Sequence, residues 1–373
     1  MEYTMGVVGI GHWFRRLQTG LESVGGIKVT KALGTKPYEA KAQTFAELGI
    51  TRDNYYTIEG DGSIPEGFFQ GIDIVHISNP NEFHASQIRQ SLSKGKKTIV
   101  EKTYAISRKE FAEMKRYIKE GGFEKSIYLH LHYLHKMPTI HMRKAAKGLI
   151  EKHGKITGIT ATFFERADDE DARRTWLFDM RNGGIFMDWV HPFEVAYRSV
   201  GAAFGKIQSL KLYATNNSYD TVNPTGVMAE VELKGNRFAE GAKIVVRVAK
   251  GVDPRYSRKS MVFSFADGTY ARLGYIGSES ESKENRGEFE TGEMSGTARA
   301  PESIAKLPGK SSSELFVKEI IKLCSGRKAG LGLGQVGRVF KPQWEYQKLA
   351  KKQQLINDAR EVEKFLEDGI REA

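Results

Sequence analysis

The sequence predicts an α/β protein in two parts: a doubly wound parallel sheet in residues 1–125, then an α+β domain in residues 126–373 built on a large, mostly antiparallel sheet. Three observations carry this. An apolar run, VVGIGHWF from Val7 to Phe14, breaks at Gly9 and Gly11 and then turns helical. From there to the glycines at 121 and 122, strand-like and helix-like segments alternate, as they do when helices cover both faces of a parallel sheet. Beyond residue 205, apolar and polar residues alternate with a period of two through several successive segments, which is the mark of antiparallel strands. A length of 373 residues fits about two domains, and 40% hydrophobic residues suffice for their cores.

In the first part, a strand ending in two glycines lets backbone N–H groups approach a pyrophosphate. The helix opening at His12 aims its positive dipole end at the same place. Gly9, Gly11, His12, Trp13 and Phe14 form this candidate phosphate turn, although Phe14 stands where the usual fingerprint has a third Gly or Ala. Phe14, Leu17, Leu21 and Val24 then recur at helical spacing, and Ile27 to Gly34 reads as the second strand. Where NAD-binding chains carry a carboxylate for the ribose 2′-hydroxyl, this chain has Gly34, Thr35 and Lys36. Pro37 suits the first turn of a following helix, so Thr35 and Lys36 lie beside a helix N-terminus. A lysine, a hydroxyl and N–H groups favour a 2′-phosphate, hence NADP(H) over NAD(H).

Ile72 to Ser78 reads as another strand, followed by NPNEFHAS and a helix with Ala85, Ile88 and Leu92 on one face. The short strand KTIVEK leads to Ser107 and Glu110, spaced as a capping box, with Phe111, Met114 and Ile118 behind them. Gly121 and Gly122 stop that helix. Gly9, Thr35, Asn79 and Glu101 thus fall at the carboxyl ends of strands, where an open parallel sheet binds its ligand.

The second part opens with SIYLHLHYLHKMP, read as an alternating strand running into a helix. His130 and His132 share one strand face and His135 is near, a pattern that could ligate a metal. Neither Cys nor carboxylate lies close in sequence, so no metal is expected. After the strand ITGITATFFE and the polar ADDEDARRTW, the stretch RNGGIFMDWVHPFEVAYR places Asp188 and His191 three residues apart on one helical face. A carboxylate beside an imidazole fixes its tautomer and raises its basicity, as proton transfer from a hydroxyl requires. A helix-capping Asp beside a satisfied histidine is the structural alternative. The strands IQSLKLYAT, GVMAEVELK, AKIVVRVAK, SMVFSFADG and TYARLGY follow, one face covering helices and the other a natural dimer surface. Gly277 to Pro301 is polar and without apolar period, which predicts a mobile loop or lid, and two helices close the chain.

Taken in order, the glycine turn, SNPNEFH (Ser78 to His84) and VEKTYAIS (Val100 to Ser107) resemble successive signatures of the Gfo/Idh/MocA family of glucose-fructose oxidoreductase and inositol dehydrogenase. There the second reads roughly T-P-N-x-x-H and the third E-K-P-x-x. Arg181 to Arg198 is similar to the family's G-G-G-x-x-x-D-x-G-x-H, with the Asp to His spacing one residue shorter, and Thr103 replaces the proline after Glu101 and Lys102. The resemblance implies hydride transfer between NADP(H), or NAD(H), and a secondary alcohol of a sugar, sugar acid or polyol. It implies His191 as the base with Asp188 as its partner, both flanking the reacting carbon, and Lys102 orienting the hydroxyl. Glu101 would position Lys102, while Asn79, Pro80, Asn81 and His84 would shape the nicotinamide pocket. His132, Tyr133 or Lys136 would contact the sugar, and the chain would form a homodimer or homotetramer through the sheet face. An NAD-dependent glycosidase of the same fold and a non-catalytic cofactor-binding sensor are the other functions this architecture allows.

The net charge of +11 suits anionic ligands, yet the Lys and Arg residues are scattered, which argues against nucleic acid. Neither a membrane-spanning run nor a secretory signal is visible, so a cytoplasmic protein is expected. The single cysteine, Cys324, sits in an apolar helical stretch and reads as a structural thiol.

Overall fold

The structure, a computed structural model, describes residues 2–58, 60–166, 184–215, 223–234, 241–275, 287–295, 298–307, 312–327 and 329–373. The chain divides into two compact units, Met1–His132 with Lys310–Val336 and Tyr133–Gly309 with Gly337–Ala373.

The first unit is the doubly wound sheet. Its strands are β1 (Tyr3–Val8), β2 (Ile27–Gly34), β3 (Tyr55–Thr57), β4 (Ile74–Ile77), β5 (Lys97–Glu101) and β6 (Ile127–His130). All pair in parallel, in the order β3-β2-β1-β4-β5-β6. The helices between them are α1 (His12–Val24), α2 (Ala42–Glu47), α3 (His84–Ser93) and α4 (Arg108–Glu120). The four-residue strand β4 is buried throughout, as a strand covered on both faces must be. Helix α4 starts as its sequence predicts: Ser107 Oγ accepts from Glu110 N–H at 3.1 Å, and Glu110 Oε2 accepts from Ile106 N–H at 2.7 Å.

Two boundaries differ from the sequence reading. β6, read as opening the second domain at residue 126, is the sixth strand of the parallel sheet, with Glu101 and His130 in register. The helix α7 (Ser312–Cys324) returns to this unit and packs on α1. Gly20 makes that approach possible, since a Cβ there would stand 2.6 Å from the Ser313 carbonyl carbon. Phe316, Val317 and Ile320 of α7 join Phe14, Leu17 and Leu21 of α1 in one core, each side chain contributing about 1.5–3 kcal/mol by burial. Such a pairing spans some three hundred residues, and no local period reveals it.

The second unit carries a nine-stranded sheet in the order β14-β13-β12-β11-β7-β10-β9-β8-β15. Its strands are β7 (Ile156–Arg166), β8 (Ala203–Tyr213), β9 (Gly226–Lys234), β10 (Lys243–Val252), β11 (Arg258–Phe265), β12 (Thr269–Tyr275), β13 (Gly287–Ser295), β14 (Ala298–Leu307) and β15 (Leu355–Ile356). Pairing is antiparallel except at β7 with β10 and β8 with β15. Strands β13 and β14 replace much of the loop expected at 277–301, while residues 276–286 lie outside the described residues. Their alternation is muted in sequence because this end of the sheet buries little: along GEFETGEMS only Phe289 and the two glycines are buried.

Helices α5 (Met137–His153) and α6 (Phe186–Val200) lie on one face of this sheet. In this unit α8 (Leu333–Ala350) sets Tyr346 against Trp189 of α6, ring centroids 3.9 Å apart. The opposite face, expected to serve as a dimer surface, is covered over β7 by the chain's own α9 (Ala359–Glu372). There Phe365 meets Phe164, and Arg247 pairs with Glu372 at 2.6 Å. Among the described residues no helix is long and apolar enough to cross a membrane.

Candidate active site

In the first unit the predicted residues gather at the carboxyl ends of the strands. Gly9 has φ +91°, and a Cβ there would lie 2.7 Å from the Asn79 nitrogen. Only glycine lets the ends of β1 and β4 come this close. Gly9 N–H donates to Leu33 O at 2.9 Å, and Ser78 Oγ donates to Gly9 O at 2.7 Å. Gly11, the N-cap of α1, has no side chain to cap the helix, which leaves first-turn N–H groups for another partner such as a bound phosphate. Beside this turn, both amide atoms of Asn79 are buried with no hydrogen-bond partner among the described residues. An orphaned buried amide costs free energy unless a bound group satisfies it. Uncapped N–H groups, a glycine cradle and an unsatisfied amide together fit a dinucleotide.

Around these, Thr103 N–H donates to Asn81 Oδ1 at 3.3 Å, and His84 bridges the carbonyls of Thr103 at 2.7 Å and Asn79 at 2.8 Å. The loop after β4 and the loop after β5 are thus tied into one frame. Asn81 and His84 are buried in that frame, which makes them its braces, and Pro80 opens the short helical turn they flank. Lys102, half-buried, follows β5, and the Lys102–Thr103 peptide is cis. Behind it, Glu101 accepts from His130 Nδ1 at 2.6 Å, and His76 Nε2 lies 3.5 Å away. Burial pushes the Glu101 carboxyl up, but the imidazoles of His130 and His76 outweigh it and hold the group well below the usual carboxylate range. The His130 ring stacks on Phe316 at 3.5 Å, so this histidine has a structural partner on each side.

At the end of β2, Thr35 and Lys36 are exposed. Their turn is braced by Tyr55, whose hydroxyl donates to the Lys36 carbonyl. Of the candidate phosphate turn, the Phe14 side chain is 0% exposed in the α1–α7 core, so only its main chain belongs to the turn. The side chains of His12 and Trp13 lie outside the described residues.

In the second unit α6 presents Asp188 and His191, both buried. Asp188 Oδ1 lies 3.5 Å from His191 Nε2. The sequence reading missed the carboxylate on the other side: Glu194 Oε1 lies 3.3 Å from His191 Nδ1 and accepts from Tyr133 N–H at 2.9 Å. It also missed two lysines. Lys250 Nζ of β10 is 2.6 Å from Asp188 Oδ2 and 3.6 Å from Glu165, and Lys259 of β11 is 2.6 Å from Glu165. Burial raises the Glu165 carboxyl, and the ammonium groups of Lys259 and Lys250 more than reverse this. Pro192 withdraws the helical N–H that would reach the Asp188 carbonyl, loosening the helix where the charged groups sit.

The predicted substrate contacts separate. Tyr133 is buried with its ring 4.5 Å from that of His191 and packs on Phe163 and Tyr275. Lys136 is buried at the N-cap of α5. His132 belongs to the first unit, its ring 6.5 Å from that of His130.

No protein-family model matches the chain, and no curated protein sequence matches it. Solved structures do. An aldose-aldose oxidoreductase from Caulobacter crescentus, complexed with glycerol, superposes with a TM-score of 0.72 at 15% identity, covering 94% of this chain and 98% of that one. A 3-ketoreductase from Actinomadura kijaniata, in complex with NADP and TDP-benzene, gives 0.72 at 14% identity over 96% and 99%. A myo-inositol 2-dehydrogenase from Lactobacillus plantarum gives 0.71 at 13% over 94% and 98%. At these identities the likeness is one of fold, and the fold is the one the motif resemblance implies: a parallel dinucleotide-type sheet and a large, mostly antiparallel one.

Proposed function

We propose that the protein is a nicotinamide-dependent oxidoreductase acting on a secondary alcohol, or the matching ketone, of a sugar, sugar acid or polyol, with NADP(H) preferred over NAD(H). The observation that carries this reading is the unsatisfied Asn79 amide beside the uncapped N-terminus of α1, at the ends of parallel strands. The structural neighbours, which include oxidoreductases of sugars and cyclitols, support the same class. The exposed Thr35 and Lys36 suit a 2′-phosphate.

A bound nicotinamide would supply the two-electron acceptor or donor. Gly9, the α1 N–H groups and Asn79 would hold the dinucleotide, and the brace of Asn81, His84 and Thr103 would keep their loops in place. Oxidation of an alcohol releases a hydroxyl proton, and His191 is the acceptor in this reading. In reduction His191 returns the proton to the ketone oxygen. Lys102 contributes an ammonium that favours negative charge on that oxygen.

The test follows the absorbance of the reduced cofactor while the protein is incubated with aldoses, uronic acids and cyclitols, and with the matching ketones. We expect net turnover with NADP(H), and a loss of about 10²- to 10⁴-fold in kcat/KM for His191→Ala and for Lys102→Ala. Turnover that both variants leave unchanged would overturn the assigned roles. A substrate consumed with no net change in cofactor would point to a glycosidase.

A further inference from the structure

We propose that Glu194 is the positioning residue of His191: it fixes the imidazole tautomer in place of Asp188, which Lys250 holds away from that task. The proposal rests on the reading of His191 as the proton carrier and adds a residue to which none of the sequence motifs gives a role.

Glu194 follows His191 by one helical turn on α6 and is 0% exposed. Its Oε1 takes the Tyr133 N–H at 2.9 Å and stands 3.3 Å from His191 Nδ1, while Oε2 is buried with no partner among the described residues. A carboxylate oxygen can only accept, so the contact is favourable only when Nδ1 carries the proton. The lone pair of the neutral ring is then on Nε2. On one side of the imidazole the Tyr133 ring lies 4.5 Å away, with Phe163 and Tyr275 packed on it. The pair is buried, and burial strengthens the hold of Glu194 on Nδ1–H.

Asp188 is placed differently. Its Oδ1 lies 3.5 Å from Nε2, longer than the 3.3 Å of the Glu194 contact, and its Oδ2 is 2.6 Å from the Lys250 ammonium. Lys250 in turn neighbours Glu165, which pairs with Lys259. Asp188 ends this ladder of alternating charges, and its negative charge is matched by Lys250. In oxidation Nε2 would take the substrate hydroxyl proton while Nδ1–H stays on Nδ1, and a bound nicotinamide would supply the acceptor for the hydride lost from carbon. The imidazolium formed is stabilised by the Glu194 carboxylate.

The experiment reads the His191 ring directly, in long-range ¹H–¹⁵N spectra of the full chain labelled at histidine, with His191 assigned from a His191→Gln sample. We expect the Nδ1–H tautomer in the unsubstituted protein, loss of that bias in Glu194→Gln, and its retention in Asp188→Asn. For turnover we expect about 10²- to 10⁴-fold lower kcat/KM in Glu194→Gln and at least tenfold rescue of that loss in Glu194→Asp. An Nε2–H tautomer in the unsubstituted protein overturns the proposal whether or not the variants fold. So does a tautomer that follows Asp188→Asn and ignores Glu194→Gln. A Glu194-dependent tautomer in a protein that turns over no alcohol or ketone would overturn the oxidoreductase reading and leave the positioning role standing.

Discussion

Lys250 Nζ stands 2.6 Å from Asp188 Oδ2, an ion pair that joins β10 to α6 with both side chains almost wholly buried. A buried pair gains little over an apolar substitute, because both ions had to leave water. Removal of one partner alone strands the other as an uncompensated charge. Lys250→Met would strand Asp188 and deprive Glu165 of its second ammonium. It should therefore lower the unfolding free energy by about 3–5 kcal/mol, and Lys250→Met with Asp188→Asn should recover part of that. Urea titrations of the four proteins check this. Simple additivity of the two substitutions would show that the contact contributes nothing of its own.

Glu101 gives the first unit a pH dependence whose sign follows from its surroundings. Burial raises its pKa, and His130 and His76 lower it further than burial raises it, so the folded value lies below the unfolded one. The stabilisation is then complete above the ordinary Glu value of about 4.3 and is lost as pH falls through the lower folded value. Glu101→Gln keeps the shape but has no such carboxylate. The difference in urea stability between the two proteins should be largest near pH 6 and shrink from about pH 5 to about pH 3. A difference that stays constant over this range would rule out the histidine pairing as its source.

What the sequence made legible was local. Gly9 and Gly11, the Ser107–Glu110 cap and the alternating strands of the second unit each announce themselves within a few residues, and each is found. What it hid depends on contacts far along the chain. Phe316 stacks on His130 across nearly two hundred residues, and Lys250 reaches Asp188 of α6 from strand β10. Glu194 is a subtler case. Carboxylates stand three residues before His191 and three after it, both on its helical face, and spacing alone cannot choose between them. The choice is made by Lys250 and by the Tyr133 N–H, neither of which is near in sequence.

Lys36 is exposed at the end of β2, in a turn held by the Tyr55 hydroxyl, with no carboxylate following the strand as far as Glu39. Arg52 pairs with that Glu39. Lys36→Glu should weaken NADPH binding by about 10- to 100-fold while leaving NADH within about threefold, since a hydrogen bond to a charged group contributes about 1.5–3 kcal/mol. An exposed contact is also screened, so the preference should narrow at high salt. Fluorescence titrations of both reduced cofactors, at low and high ionic strength, measure this. Equal affinities for the two in the unsubstituted protein would reject a 2′-phosphate contact at Lys36.

Phe14 occupies the position where the dinucleotide fingerprint places its third glycine, and restoring that glycine should do harm. The third glycine ordinarily lets helix and strand pack closely. Here the space is filled from the other side: Phe14 is fully buried in a core completed by Phe316, Val317 and Ile320 of α7, a helix from near the other end of the chain. Phe14→Gly would open a cavity costing about 3–5 kcal/mol, with about 1 kcal/mol more for glycine in the first turns of α1. Because the side chain points into that core and not at the phosphate turn, cofactor affinity should not rise. Thermal unfolding and NADPH titration of Phe14→Gly test both halves. A variant as stable as its parent that binds NADPH more tightly would mean that the aromatic ring, and not the missing glycine, is the accident of this sequence.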